Sequence, residues 1–311
     1  MRIVFLGSGA FAIPSFEALV GAGHEVAAVF TQPDRHGGRG RRLLPPPLKP
    51  VALRHRVEVF QPPRIREPDA VAALQRLSPE ILVVVAYGQI LPTAVIGSAP
   101  RGAVNVHASL LPRYRGAAPI QWAIVNGETT TGVTTMLIDQ GLDTGPLLLS
   151  REVTISPEET AAELEARLAP LGAQVLLETL DGLASGALLP LAQDHAAATL
   201  APLIRKAEGR IDWQQPAEVL ERRVRGFTPW PGTTCRVRGR DLKILRARAS
   251  DQAGPAGTVL RADKDGLVVG CGEGSLVLLQ VQPESGRPMS AAAFAAGARI
   301  IAGSRLDDTV S

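Results

Sequence analysis

Asn105, His107 and Asp143 bring an amide, an imidazole and a carboxylate within reach of one site in this 311-residue chain. Asn105 and His107 stand two apart at the end of an apolar run, so in a strand they project from the same face. Asp143 lies in Asp139-Gln140-Gly141-Leu142-Asp143-Thr144-Gly145, a glycine-rich loop after the apolar segment 132–138. Converging on one crevice, the three suit transfer of an acyl-type group. A lone strand-end histidine is more often structural, and Asn and Asp in turns usually cap backbone. Of the five histidines, however, only His107 ends a buried strand with a polar partner two residues away. The combination favours function; spacing alone does not name the reaction.

Such a set has to be held by a rigid frame. Short apolar runs at Ile3–Leu6, Val26–Phe30, Ile81–Ala86 and Ala103–His107 alternate with helix-like stretches at Ala12–Ala22 and Pro68–Leu77. Continuous apolar strands between helices mean a parallel sheet covered on both faces. The expectation is a doubly wound, Rossmann-like α/β domain over residues 1–189, with ligands beyond the carboxyl ends of its strands. Pro157–Leu180 reads as a long helix capped by Ser156. Residues 190–207 lose periodicity and read as a linker, and Asp212–Arg225 as a helix. Runs at 234–237, 242–245, 257–260, 266–269 and 275–281 then predict a small β-barrel of the oligonucleotide-binding (OB) type, giving a second domain over residues 208–311.

The first turn, Gly7-Ser8-Gly9-Ala10-Phe11-Ala12, matches the dinucleotide fingerprint, which raises an oxidoreductase as an alternative. That fingerprint wants an acid at the end of the second strand. Here the strand ends Val29-Phe30-Thr31-Gln32 and Asp34 comes after a proline, so the glycines read as a tight turn. Two cysteines, Cys235 and Cys271, have no metal-ligand spacing, and no metal is expected. There is no apolar stretch of membrane-spanning length or secretory pattern, so a cytoplasmic protein is expected. Net charge is +3, but residues 205–248 carry 12 Lys and Arg against 5 Asp and Glu, a local +7. A basic segment of that kind suggests a polyanionic partner.

The stretch Asn105-Val106-His107-Ala108-Ser109-Leu110-Leu111-Pro112-Arg113-Tyr114-Arg115-Gly116, followed by Asp139-Gln140-Gly141-Leu142-Asp143-Thr144-Gly145, resembles the signature of the folate-dependent formyltransferases. The match falls at two separated motifs and holds at every key position, with Ala108 inside the tolerated Gly/Ala variation. The resemblance implies that Asn105, His107 and Asp143 are catalytic and that the formyl donor is 10-formyltetrahydrofolate. It places Ser109, Leu110, Leu111 and Pro112 at the folate site, and Tyr87, Gly88 and Ile90 in the wall of its pterin pocket. It also implies that Asn105 and His107 donate to the formyl oxygen as negative charge develops there, while Asp143 holds the histidine and relays the amine proton. The family usually has Gly-Thr-Pro at the first turn; Gly7-Ser8-Gly9 keeps the hydroxyl and relaxes the turn.

Members of this family differ in acceptor, and this chain runs about 100 residues past the α/β domain, as only some do. Gly37-Gly38-Arg39-Gly40-Arg41-Arg42 resembles a basic insertion loop of the branch that formylates initiator methionyl-tRNA. Arg205-Lys206-Ala207-Glu208-Gly209-Arg210-Ile211-Asp212-Trp213 and Phe227-Thr228-Pro229-Trp230-Pro231-Gly232 resemble that branch's second domain. Arg39, Arg41, Arg42 and Lys206 are therefore the expected tRNA contacts, in a monomer that does not engage membranes. A sugar-nucleotide formyltransferase would have no use for the basic loop. A non-catalytic tRNA-binding module would have no use for the intact Asn105/His107/Asp143 set.

Overall fold

The computed structural model describes residues 1–37 and 42–306. They form two compact units, one of residues 1–119, 130–154 and 165–202, the other of residues 120–129, 155–164 and the chain from Leu203 onward. In order the chain runs β1 (Arg2–Gly7), α1 (Ala12–Gly21), β2 (Glu25–Phe30), β3 (Arg35–Gly37), β4 (Arg42–Leu44), α2 (Leu48–Arg54), β5 (Glu58–Phe60) and α3 (Pro68–Arg76). It continues through β6 (Ile81–Val85), α4 (Thr93–Ile96), β7 (Ala103–His107), β8 (Arg115–Gly116) and α5 (Pro119–Val125). Next come β9 (Thr130–Leu137), β10 (Leu147–Thr154), α6 (Ala161–Ser185) and β11 (Leu200–Ala201).

The main sheet has the order β10-β9-β7-β6-β1-β2-β5. Strands β5, β2, β1, β6 and β7 are parallel, and β9 pairs antiparallel with both β7 and β10, so β9 alone of the seven is reversed. The chain builds outward from β1 through β2 to β5, then returns to the other flank at β6. That reversal puts the switch point, where α/β sheets bind ligands, at the carboxyl ends of β1 and β6. Residues Ile3–Leu6 and Ile81–Val85 are buried without alternation. Both faces are covered at these two strands, so a polar side chain there would need a partner. Thr135 on β9 bonds Thr179 of α6 at 2.7 Å, which identifies the face that this helix covers.

Two helix starts differ from the sequence reading. Ser156-Pro157-Glu158-Glu159-Thr160-Ala161-Ala162-Glu163 contains two consecutive capping-box patterns, Ser156–Glu159 and Thr160–Glu163. The first closes a single turn, in which Ser156 N–H donates to Glu159 Oε2 at 3.0 Å. The helix starts on the second: Thr160 N–H donates to Glu163 Oε2 at 2.9 Å and Glu163 N–H to Thr160 Oγ1 at 3.4 Å. That reciprocal pair satisfies two otherwise unpaired N–H groups, so α6 begins at Ala161. The other is α7 (Ala217–Gly226), which begins after Pro216 and not at Asp212. Asp212 instead caps a turn through Gln214 N–H at 3.0 Å.

After α7 the second unit has β12 (Thr233–Val237), β13 (Arg240–Ser250), β14 (Val259–Asp263), β15 (Gly266–Gly270), β16 (Ser275–Pro283), β17 (Met289–Ser290) and α8 (Ala291–Ala298). The strands pair antiparallel in the order β12-β13-β16-β15-β14, with β17 also on β16. Leu242, Ile244, Leu267, Leu276 and Leu278 form its core with Leu220 and Val224 of α7. The small second β domain expected from the sequence is present, as a separate antiparallel sheet. Cys235 and Cys271 are both buried as thiols, and burial pushes that of Cys271 up to about 11. Arg225 pairs with Glu221 at 2.5 Å, and Asp241 lies 3.6 Å from Arg210 and 3.4 Å from Arg236. Pairing leaves the local excess of positive charge unchanged. Among the described residues no helix is long and apolar enough to cross a membrane.

Candidate active site

Strand β7 sets the site by its alternation. His107 lies opposite Thr134 and Val106 opposite Thr135 in the β7–β9 register. Residues directly opposite share a face, and Thr135 faces α6, so Asn105 and His107 project from the other side. His107 is buried, at 6% exposure. Its Nε2 lies 2.9 Å from the Tyr114 carbonyl. A carbonyl only accepts, so Nε2 carries a proton and Nδ1 is the nitrogen turned to Asp143. The Nδ1–Oδ2 separation is 3.7 Å, an ion-pair distance. The other carboxylate oxygen receives a long bond, 3.4 Å, from Asn105 Nδ2. Asp143 is fixed most firmly by Gly116 N–H, which donates to Oδ2 at 2.9 Å. Amide, imidazole and carboxylate thus meet at one point, with slack between them of the kind catalytic groups show before substrate binds. The ring, however, is held by the Tyr114 carbonyl more closely than by Asp143.

The loops around this point are tied down individually. Ser109 Oγ donates to the Arg113 carbonyl at 2.6 Å. Thr134 Oγ1 donates to the Ser109 carbonyl at 2.7 Å and accepts from Leu111 N–H at 3.2 Å. Tyr114 N–H donates to Thr199 Oγ1 at 2.8 Å and Arg115 N–H to the Thr199 carbonyl at 2.9 Å. Gly116 has φ of +121°, and a Cβ there would stand 2.7 Å from the Ala201 carbonyl, so the β8–β11 pair requires glycine. Asp139 Oδ1 closes the other loop by accepting from Gly141 N–H at 2.9 Å and Thr144 Oγ1 at 2.7 Å. Ala86, Tyr114 and Asp143, in the loops after β6, β7 and β9, all have left-handed φ of +47°, +61° and +51°. Such strain in non-glycine residues is typical of functional loops over-determined by their surroundings.

The remaining sequence-predicted residues divide. Ser109, Leu110, Leu111 and Pro112 follow His107 directly; Ser109 and Leu111 are buried, and the Leu111–Pro112 peptide is cis. Tyr87 is 2% exposed and packs in the core with Val4, Leu6 and Phe30. Burial pushes its phenol well above the ordinary value. Its carbonyl accepts from Gln32 Nε2 at 3.1 Å and from Ser8 Oγ at 3.3 Å. Gly88 is exposed with φ of +80°, and Ile90 is 83% exposed. Arg39 and Arg41 lie outside the described residues. Arg42 opens β4, which pairs with β3 through Arg35↔Leu44 and His36↔Leu43, so the expected loop is flanked by a short hairpin. Lys206 is exposed in the second unit.

The first glycine turn behaves as a turn. Ser8 Oγ receives Thr31 Oγ1 at 3.2 Å and Gln32 N–H at 3.0 Å, joining the ends of β1 and β2. The Asp34 carboxylate is occupied by Gln61 Nε2 at 2.6 Å and Lys49 Nζ at 2.8 Å. Those two partners, Gln61 first, hold it below the ordinary carboxyl range.

Residues that sequence reasoning missed are Tyr114, Thr134, Thr199 and Gln193. The stretch 190–207, read as a linker, contains two of them and β11. Tyr114 lies inside the resembled signature, and Gln193, a lone amide in Leu191-Ala192-Gln193, offers a weak signal; Thr134 and Thr199 offer none.

The formyl transferase family pattern matches residues 1–180, and that of the formyl transferase C-terminal domain matches residues 203–299. A methionyl-tRNA formyltransferase from Solibacter usitatus (strain Ellin6076) is 54% identical over 99% of this chain and 99% of its own length. One from Trichlorobacter lovleyi is 48% identical over 98% of this chain and 96% of its own. Among solved structures, HypX from Aquifex aeolicus matches with a TM-score of 0.67 at 18% identity. That match covers 97% of this chain but only 48%, about half, of the HypX chain. An N-formyltransferase from Helicobacter canadensis, in complex with folinic acid and dTDP-3-aminofucose, matches with a TM-score of 0.68 at 15% identity, over 91% of this chain and 100% of the other. At such identities the structural likeness speaks for the fold alone.

Proposed function

This chain belongs to the formyl transferase family, and from that premise we propose that it transfers the formyl group of 10-formyltetrahydrofolate to the methionine amine of initiator methionyl-tRNA. The convergence of Asn105, His107 and Asp143 carries the reading of the chemistry. Likeness to methionyl-tRNA formyltransferases along the whole chain supports the acceptor. In the reaction a C–N bond forms to the amine, the bond from the formyl carbon to folate N10 breaks, and one proton passes from the amine to N10. Negative charge rises on the formyl oxygen on the way.

Asn105 is the donor for that oxygen, since its side-chain bond to Asp143 is long and readily exchanged. His107 keeps one N–H on the Tyr114 carbonyl, which takes that N–H out of the oxyanion role the resemblance implied, and exchanges a proton at Nδ1, with Asp143 as the neighbouring acceptor for the proton of the amine. The segments Ser109–Pro112 and Tyr87–Ile90 hold the folate. For Tyr87 the support is confined to its backbone, because the ring is in the core.

The assay is direct: purified protein, 10-formyltetrahydrofolate and charged initiator tRNA should give formylmethionyl-tRNA. Formylation of an amino-sugar nucleotide with none of methionyl-tRNA would overturn the acceptor. The basic loop is tested separately. Replacing Arg41 and Arg42 with alanine should lower both kcat and kcat/KM for tRNA and leave folate binding intact. For every phosphate that the variant no longer neutralises, the salt dependence should flatten by a slope of roughly 0.7–0.9. Unchanged kinetics and slope would make it a passive loop. A rise in KM alone would mean that it binds without positioning the aminoacyl end.

A further inference from the structure

Gln193 joins the loop that carries Asp143 to a buried arginine, and its orientation is forced. Its Oε1 accepts from Arg115 Nε at 3.1 Å and Nη2 at 2.6 Å. Its Nε2 donates to the Asp143 carbonyl at 2.9 Å and the Gly145 carbonyl at 2.7 Å. A flipped amide would set its NH₂ against a guanidinium and its oxygen against two carbonyls, so the four bonds select one arrangement. Gln193 and Arg115 are 6% and 7% exposed, so none of these bonds is replaceable by bulk water. Arg115 is held in turn by His195 Nδ1 at 3.1 Å. Two residues before Gln193, Leu191 exchanges a pair of backbone bonds with Leu147, at 2.7 and 2.8 Å.

Asp143 needs such a hold. Its φ of +51° is a conformation an L-residue leaves unless its surroundings insist. Its carboxylate is fixed by Gly116 N–H, but that bond does not fix the backbone behind it. The Gln193 amide grips the backbone at Asp143 itself and two residues on. We propose that Gln193 is a positioning residue for the formyl transfer, holding Asp143 in its left-handed conformation so that the carboxylate meets Asn105 and His107. This rests on the catalytic reading of Asp143 given above.

Gln193→Glu separates the two halves of the clamp in the full-length protein. A carboxylate of the same shape still accepts from Arg115 but offers no N–H to the Asp143 and Gly145 carbonyls. Formylation of methionyl-tRNA should then lose about 10–100-fold in kcat, the scale of a misplacement near 1 Å. KM for donor and tRNA should stay within about threefold, because neither substrate binds Gln193. In an Asp143→Asn background the same substitution should cost less than about threefold, since a residue acting through Asp143 has little left to position. Gln193→Met, neutral and of similar length, removes both halves of the clamp and should lose at least as much in kcat, with the same collapse of its cost in the Asp143→Asn background; it serves if the glutamate variant does not fold.

An equal loss in both backgrounds, or a kcat within twofold of the parent, overturns the proposal. So does failure of both variants to fold, which would make Gln193 a support of the whole unit. Near-normal turnover in Asp143→Asn alone overturns the role of Asp143, and with it this inference.

Discussion

Replacing His107 with glutamine, or Asp143 with asparagine, should lower kcat by about 10²–10⁴-fold, the usual contribution of a positioned acid or base, while the fold survives. Both substitutions preserve the bonds that hold the structure. A glutamine amide can still donate to the Tyr114 carbonyl, and the asparagine oxygen can still accept from Gly116 N–H, now 2.9 Å from Asp143. What each removes is proton exchange at one point: the Nδ1 of His107, or the charged oxygens of Asp143 beside it. The two losses should be strongly non-additive, because groups that share one proton path act as a unit. Single-turnover formylation of methionyl-tRNA, with thermal melting on the same preparations, is the measurement. A folded variant with near-normal turnover removes that residue from the chemistry.

The parts of this arrangement that sequence could reveal are those that leave a periodic trace. Ile3–Leu6 and Ile81–Val85 are continuous apolar strands because both of their faces are buried. Asn105 and His107 were visible as a pair because strand alternation puts them together. Asp143 joins them through its glycine-rich loop after an apolar segment and through the motif resemblance, since no local period relates a strand to a distant loop. Other elements left weaker traces. β10 has an outward pattern of exposed and half-buried positions, and α8 is mostly alanine, with no contrast between its faces. β5 is three residues long.

Least legible were the supports. A backbone carbonyl such as that of Tyr114 has no side-chain signature, and Thr134 looks like any strand threonine until its partners are known. Residues 190–207 lacked periodicity because their hydrogen bonds go to distant loops and not along a regular element. The doubled capping box at 156–163 was ambiguous for a different reason. Both Ser156 and Thr160 satisfy the same local rule, and only the second leads into a buried stripe of Leu164, Leu168 and Leu176.

Asn105→Ala should cost roughly 10²–10³-fold in kcat, the scale of one oxyanion-hole donor, and leave KM for both substrates nearly unchanged. Asn105 is only partly buried, and its bond to Asp143 Oδ1 is long, at 3.4 Å, so its loss should disturb folding little. The formyl oxygen of the donor is neutral in the ground state and becomes charged only as the amine adds. A donor that strengthens its bond at that moment stabilises the transition state and not the bound substrate, which places the whole loss in kcat. Asn105→Asp makes the argument sharper. It fills the same space but replaces an N–H donor by a carboxylate oxygen, facing both the developing charge and Asp143, and should be at least as damaging as alanine. If aspartate were tolerated while alanine was not, Asn105 would matter for packing and not for charge. If alanine raised KM for the donor with kcat unchanged, the amide would bind the folate uniformly and the oxyanion role would fall.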